Sequence, residues 1–104
     1  IVYFANRFHV DAPGKWDICL GHDGGAKVFV DRKAVFADPR RINPAAPNRA
    51  RFTVSLKRGL HEIVVALDTD RGMGWGIYLA FALPEGATKP PGKLRYPRVV
   101  QAKP

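Results

Sequence analysis

The fold class is decided by one stretch, Arg51-Phe52-Thr53-Val54-Ser55-Leu56-Lys57-Arg58-Gly59-Leu60-His61-Glu62-Ile63-Val64-Val65-Ala66-Leu67. Apolar and polar side chains alternate before the basic turn Lys57-Arg58-Gly59, and after it the large apolar residues Ile63, Val65 and Leu67 recur at every second position. A period of two residues on both sides of a short turn is typical of a β-hairpin with one buried and one wetter face. The stretch therefore predicts an all-β protein, built as an antiparallel β-sandwich or jelly roll.

Seven short strands, separated by turns rich in Gly, Pro and Asp, extend this prediction along the chain. They are Val2–Phe8, Trp16–Leu20, Lys27–Val30, Ala34–Phe36, Arg51–Leu56, His61–Leu67 and Gly76–Ala82. Alternation places one apolar face of each strand in a common core. For the last three strands the predicted core residues are Phe52, Val54, Leu56, Ile63, Val65, Leu67, Ile77, Leu79 and Phe81.

Three other residues also have predicted positions. Trp16 alternates with Ile18 and Leu20, which places its ring in the core. Cys19 is the only cysteine, so an intrachain disulfide and a cysteine-based zinc site are both excluded. It is expected to be a buried, inert thiol. Tyr78 lies on the opposite face from the core residues of its strand and is expected to be exposed.

The alternation stops after Phe81, which divides the chain into two parts. Residues 1–83 are predicted to form the sandwich, and the Pro-rich residues 84–104 are predicted to be an extended linker or wrapping tail. Because the chain begins inside its first predicted strand, one or two further strands upstream are also expected. No run of about 18 apolar residues occurs, so no membrane-spanning helix is predicted.

The net charge of +8 raises the question of an acidic partner. The cations are scattered along the chain rather than gathered on one helix, and this distribution disfavours nucleic acid. A cluster formed by Arg40, Arg41, Arg49 and Arg51, with Arg71 near it, keeps an alternative open. In that alternative the chain binds a polyanion, either an acidic polysaccharide or nucleic acid.

Four motifs that follow Tyr3-Phe4 of the first strand carry a family resemblance, which spans Tyr3 to Phe81. They are Trp16-Asp17-Ile18-Cys19-Leu20-Gly21, the hairpin at residues 23–33, Leu56-Lys57-Arg58-Gly59-Leu60-His61-Glu62-Ile63 and Gly74-Trp75-Gly76-Ile77-Tyr78-Leu79. The order resembles the galactose-binding-domain-like β-sandwiches appended to secreted bacterial glycoside hydrolases, polysaccharide lyases and esterases. Two positions depart from that family's pattern, because Asp31-Arg32 replaces an Asn-Gly turn and His61 stands where Asn is common. The resemblance implies a carbohydrate-binding or interdomain role and a secreted or periplasmic location.

The candidate binding site follows from the way antiparallel strands place their loops. Successive loops alternate between the two ends of the sandwich, so His22–Ala26, Phe36–Ala50 and Asp68–Gly74 are expected at one end. Binding residues favour loops held by a rigid scaffold. The ligand-binding residues predicted at this end are Trp75, Asp70, Arg71, His22, Asn43, Arg40 and Arg41.

Trp75 is the sharpest of these candidates, because glycines on both sides remove neighbouring side chains. Its ring is expected to stack on a sugar, and the alternative is a ring that plugs the end of the core. Asp23, Asp68 and Asp70 are either solvated turn carboxylates or ligands of a structural Ca²⁺. No other cofactor and no other metal is expected.

No catalytic constellation is found in the sequence. The three histidines are spread over different predicted elements, and Ser55, the only serine, lies on a strand rather than in a nucleophile elbow. We therefore expect a non-catalytic carbohydrate-binding accessory module of a larger secreted polysaccharide-active enzyme. Two alternatives remain open at this point: a spacer that packs on a neighbouring domain of the parent chain, and the polyanion-binding module described above.

Overall fold

The computed structural model describes residues 1–22, 24–38, 50–68 and 77–96, and all regular elements among them are β-strands. The strands are β1 (Val2–Val10), β2 (Gly14–His22), β3 (Ala26–Val30), β4 (Lys33–Asp38), β5 (Ala50–Leu56), β6 (Gly59–Leu67), β7 (Ile77–Ala82) and β8 (Leu94–Arg95). A five-stranded sheet has the order β4-β3-β6-β1-β8, and a three-stranded sheet has the order β5-β2-β7. All pairings are antiparallel, which confirms the predicted β-sandwich.

The core lies between the two sheets and is built by the predicted alternation. Phe8, Ile18, Leu20, Val28 and Leu67 are among its fully buried side chains. Five of the predicted core residues are buried, namely Val54, Leu56, Ile63, Val65 and Leu67. The other four pack against the core while partly buried, and they are Phe52, Ile77, Leu79 and Phe81. The burial of Trp16 and Cys19 and the exposure of Tyr78 are likewise confirmed.

The strand registers define two ends of the sandwich. At the loop end, Ala26 pairs with both Asp38 and Leu67, and His22 pairs with Ile77. The strand ends that flank the long segments at residues 39–49 and 69–76 therefore meet there, as the alternation of loops predicts. At the opposite turn end lie the tight connections β1–β2, β3–β4 and β5–β6.

The two sheets do not cover each other evenly. Phe8 and Val10 of β1 are buried, whereas Val2 and Phe4, which face the same side of the strand, are 37% and 42% exposed. Within the described residues, the three-stranded sheet ends at β7 and leaves this half of β1 partly uncovered. A cleft of ≈ 440 Å³ results, lined by Phe4, Ala5, Asn6, Ile63, Val65, Ile77, Leu79 and Tyr96.

The segment predicted as a tail returns to the sandwich at its described far end. The backbone N–H of Asp11 donates to the Lys93 carbonyl at 3.1 Å, and the Lys93 N–H donates to Asp11 Oδ1 at 2.6 Å. Next to these bonds, β8 pairs with β1, and Leu94 packs against the core. Residues 84–96 therefore wrap onto the sandwich, and residues 97–104 lie outside the described residues.

The two positions that depart from the family pattern are in contact with each other. Asp31 and Arg32 both adopt positive φ, 50° and 70°, in the two-residue turn between β3 and β4. The Asp31 carboxylate faces His61 Nδ1 at 2.5 Å and accepts the Glu62 N–H at 2.9 Å. On its other side, His61 Nε2 faces the Lys57 carbonyl at 2.6 Å. The pair compensates for unfavourable turn residues by bonding the β3–β4 turn to the β5–β6 turn.

Both groups of this pair have shifted pKa values. Burial would lower the pKa of His61, but the hydrogen bonds to Asp31 and to the Lys57 carbonyl outweigh it and raise that pKa above 6.5. Burial would likewise raise the pKa of Asp31, but its hydrogen bonds to His61 and to the Glu62 N–H lower that pKa below 3.8. The charged pair is thus the form favoured by the fold.

This pair predicts a pH window for stability. The contribution of His61 is complete below pH 6.5 and is lost as pH rises through the raised pKa. The contribution of Asp31 is complete above pH 3.8 and is lost as pH falls through the lowered pKa. We expect urea unfolding to show a larger free energy at pH 5.5 than at pH 8.5. His61→Asn should flatten that difference, and an unchanged pH dependence in the variant would contradict the assignment.

Candidate functional site

The outer face of the five-stranded sheet carries a trough next to the loop end. Tyr3 of β1, Ala66 of β6, Lys27 of β3 and Ala37 of β4 form one row across the sheet. Phe29 follows Lys27 by two residues and therefore lies on the same face. The two alanines form a low floor between larger side chains, and the resulting depression has a volume of ≈ 500 Å³.

Aromatic side chains bound this trough on two sides. Tyr3 is 65% exposed, so its ring is available to a ligand. The Phe29 ring lies under the Lys27 ammonium, whose Nζ is 5.3 Å from the ring centroid. This cation–π contact holds the Lys27 ammonium beside an apolar wall. The arrangement combines an open aromatic surface with a hydrogen-bond donor.

The end of the trough at the loop end is acidic. Asp38, the last residue of β4, and Asp68, which follows β6, both line it together with Gly25. Asp38 is buried and Asp68 is exposed. The Asp68 N–H donates to the Gly25 carbonyl at 2.7 Å, which fixes the position of this residue against the β2–β3 connection. The Asp38 side chain alternates inward towards His22, whereas exposed Asp68 and Lys27 lie at the surface of the depression.

His22 was predicted to bind a ligand at the loop end, and its position in the structure differs from that expectation. The side chain is 0% exposed. Its Nδ1 donates to the Gly24 carbonyl at 2.6 Å, and its Nε2 lies 3.5 Å from Asp38 Oδ2. The reason is that β2 continues two residues beyond Leu20, so the alternation turns His22 inward. We assign His22 a structural role beneath the loop end.

The remaining predicted binding residues lie in segments outside the described residues. These are Arg40, Arg41, Asn43, Asp70, Arg71 and Trp75. Their binding role stays a prediction. Asp38 and Asp68, the described residues that immediately precede the segments 39–49 and 69–76, line the trough.

The structure also shows binding candidates that the sequence analysis missed, namely Tyr3, Lys27 and Phe29. A signal for two of them was present in the sequence. Tyr3 and Phe29 are aromatic residues out of phase with the core-facing residues of their strands, as Phe8 and Val28 show. What the sequence did not show is that the two strands lie on either side of β6, with only Ala66 between them.

Arg51 was part of the predicted polyanion cluster, and the structure places it in an internal ion pair. Its Nε donates to Asp17 Oδ2 at 2.6 Å, and its Nη2 donates to the Leu83 carbonyl at 2.7 Å. The Thr53 hydroxyl donates to the other oxygen of Asp17 at 2.5 Å. The hydrogen bonds from Thr53 and Arg51 lower the pKa of Asp17. Because Asp17 compensates the charge of Arg51, the case for Arg51 as a polyanion contact is weaker.

Metal binding and membrane insertion were also considered. Within residues 1–22, 24–38, 50–68 and 77–96, no group of three or more His, Cys, Asp or Glu side chains is arranged to hold a metal ion. Asp23 and Asp70, two of the three possible Ca²⁺ ligands, lie outside those ranges, so the calcium alternative stays untested. Over the same ranges, the structure contains no helix with the length and apolar character needed to span a bilayer.

Two comparisons with known proteins found no match, and a third found a partial structural likeness. No protein-family model matches the sequence. No curated protein sequence matches it either. The structure is similar to part of the GH31 alpha-xylosidase from Xanthomonas citri, at 18% sequence identity and a TM-score of 0.48. The likeness covers 96% of this chain and 9% of the enzyme, so the chain corresponds to a small part of that protein's length.

Proposed function

We propose that this chain is a non-catalytic carbohydrate-binding module that acts beside a polysaccharide-active enzyme domain. The observation that carries the proposal is the trough on the five-stranded sheet, with the exposed Tyr3 ring on one side and Phe29 on the other. A sugar ring has apolar C–H faces and a rim of hydroxyl groups. A floor of small residues between aromatic walls fits the faces, and Lys27 with the acidic end fits the rim.

The trough offers polar groups of both kinds to a sugar. Among the described residues that line it, Lys27 is the basic side chain, and Asp38 and Asp68 are the acidic ones. Sugar hydroxyls accept from an ammonium group and donate to carboxylate and carbonyl oxygens. The site is open and shallow, so we expect dissociation constants in the range of about 1 μM to 1 mM.

The loop-end residues extend this proposal. Trp75, Asp70, Arg71, Asn43, Arg40 and Arg41 belong to segments whose flanking strand ends border the trough. In this proposal they supply a second part of the sugar site, with Trp75 as a further stacking platform. A module of this kind implies a secreted or periplasmic location and neighbouring domains in a parent chain.

A glycan array that includes neutral and acidic glycans, followed by titration of Tyr3→Ala, tests the proposal. We expect Tyr3→Ala to weaken binding about tenfold, a loss of about 1.4 kcal/mol, because the stacking surface is removed. Tyr78→Ala is the matched control, since Tyr78 is also about half exposed but lies on the other sheet. Equal affinities of the two variants would refute the role of the trough.

A second candidate function is packing on a neighbouring domain, and the cleft beside β7 favours it. Val2 and Phe4 are inward-facing apolar residues that this chain leaves partly uncovered. Exposed apolar surface of this kind commonly marks an interface. The glycan array decides between the candidates, because a pure spacer binds no glycan at all and a binding module does.

A further inference from the structure

Exposed cations collect at the turn end, opposite the proposed sugar site. The tips of the β3–β4 and β5–β6 hairpins and the strand segments beside them contribute most of these cations. They are Arg7, Lys15, Arg32, Lys33, Lys57, Arg58, Lys93 and Arg95. Although they are scattered in the sequence, the antiparallel topology brings them to one end, which the linear order of the residues did not show.

These cations are not neutralised by the acidic residues near them. In the part of the chain that the structure describes, the side chains of these eight residues make no salt bridge. The carboxylate of Asp31 is occupied by His61 and the Glu62 N–H, and that of Asp11 accepts the Lys93 N–H. Glu62, the cross-strand partner of Arg7, is a third acidic residue beside them, and the eight cations outnumber these three acidic residues. A net positive charge therefore remains available to a partner.

The surface has a shape that suits an extended ligand. The Asp31–His61 pair lies between two depressions, and both residues line each of them. One depression, of ≈ 270 Å³, carries Arg7 and Arg32. The other, of ≈ 490 Å³, carries Lys33 and Lys57. Across the five strands, from Lys33 to Arg95, the surface extends roughly 19 Å at about 4.8 Å per strand.

We propose that the turn end is a second binding surface, specific for a linear acidic polysaccharide carrying sulfate or carboxylate groups. Anionic groups of such a chain would bind to the cation pairs on both sides of the Asp31–His61 ridge. Binding to single-stranded nucleic acid relies on aromatic side chains that stack on bases. Among the residues that the structure describes, His61 is the only aromatic one that lines the two depressions, and its ring nitrogens are engaged within the protein. The surface therefore favours a polymer recognised by charge alone.

Dextran sulfate and unsulfated dextran are the matched probes, because they share a backbone and differ in charge. We expect the full chain to bind dextran sulfate and not dextran at the turn end. Affinity should fall about tenfold to a hundredfold between about 50 mM and about 200 mM NaCl, since binding releases counterions. Salt-independent binding to dextran sulfate, or no binding to it, would overturn the proposal.

Two double variants test the location. Lys33→Gln/Lys57→Gln should weaken dextran sulfate binding and reduce the slope of log affinity against log salt by about two. Lys33→Arg/Lys57→Arg keeps the charge and should retain binding and slope. Unfolding midpoints equal to that of the parent show that both variants are folded. The assignment to these lysines would be refuted if both double variants kept their binding, or if both lost it. Tighter binding to single-stranded or duplex DNA of equal charge would replace the polysaccharide with nucleic acid.

Discussion

The Phe8→Ala variant is expected to lose about 3–5 kcal/mol of its free energy of unfolding. Phe8 is 0% exposed, and its ring lies 4.8 Å from the ring of Phe81, between centroids. It also stacks on His61 at 5.4 Å. One side chain of β1 thus contacts β7 of the opposite sheet and the histidine that bonds the two turns. Alanine would leave a cavity between the two sheets, because the backbone of neither sheet can move freely to fill it.

Urea unfolding followed by tryptophan fluorescence measures this loss. Domains of this size have a total stability of about 5–15 kcal/mol, so the variant is expected to be only marginally folded at best. Leu60→Ala is the matched control, because Leu60 is 58% exposed and its truncation should change the free energy by less than about 0.5 kcal/mol. A loss in Phe8→Ala no larger than that of the control would show that the sheets are not joined through this ring.

The fold could be predicted from the sequence because one face of nearly every strand is buried. The alternation of Val54 and Leu56 with polar residues, and of Ile63, Val65 and Leu67 after the turn, has one solution in a two-layer protein. Phe52 and Phe81, on the two outer strands of the smaller sheet, are only partly buried. The position of β8 could not be predicted, because a two-residue strand has no period. Next to it, the Asp11 N–H donates to the Lys93 carbonyl and the Lys93 N–H donates to the Asp11 carboxylate.

The candidate site was less predictable for a different reason. Strand ends and loop ends follow from counting antiparallel connections, and that count correctly brought His22, Asp38 and Asp68 to one end. The burial of a residue at a strand boundary depends on whether the strand ends before or after it. At His22 the strand and its alternation continue, so the side chain is buried. A surface shared by strands distant in sequence, such as β1 and β3, requires the strand order, which periodicity does not contain.

The contact between Asp31 and His61 shows the same limit at the level of single residues. As isolated positions, each replaces a residue preferred by the related sandwiches, and each looks unfavourable. In the fold they form a charge-assisted hydrogen bond across 30 positions of sequence. By local propensity, Asp31 and Arg32 are unfavourable at positive φ. Local propensity does not take account of a partner residue on another hairpin.

Gly24→Ala is expected to destabilise the protein by about 1–3 kcal/mol, because a side chain there has no room. A Cβ at Gly24 would overlap the backbone carbonyl oxygen of Asp68. Neither backbone can move alone, since the Gly24 carbonyl accepts from buried His22 and the Asp68 N–H donates to the Gly25 carbonyl. The shift must therefore reach Gly25 and Asp68, which line the trough.

Substitution of Gly24 is therefore expected to affect both stability and sugar binding. Substitution of a second glycine, Gly86, separates the two effects. Gly86 has a φ of +80° and open space around its Cβ position, so Gly86→Ala costs only backbone strain, about 1–2 kcal/mol. Chemical unfolding should show both variants to be destabilised. In glycan titration, Gly24→Ala should bind more weakly than the parent, whereas Gly86→Ala should bind with the parent's affinity. If the folded Gly24→Ala protein binds as the parent does, the acidic end of the trough takes no part in recognising the sugar.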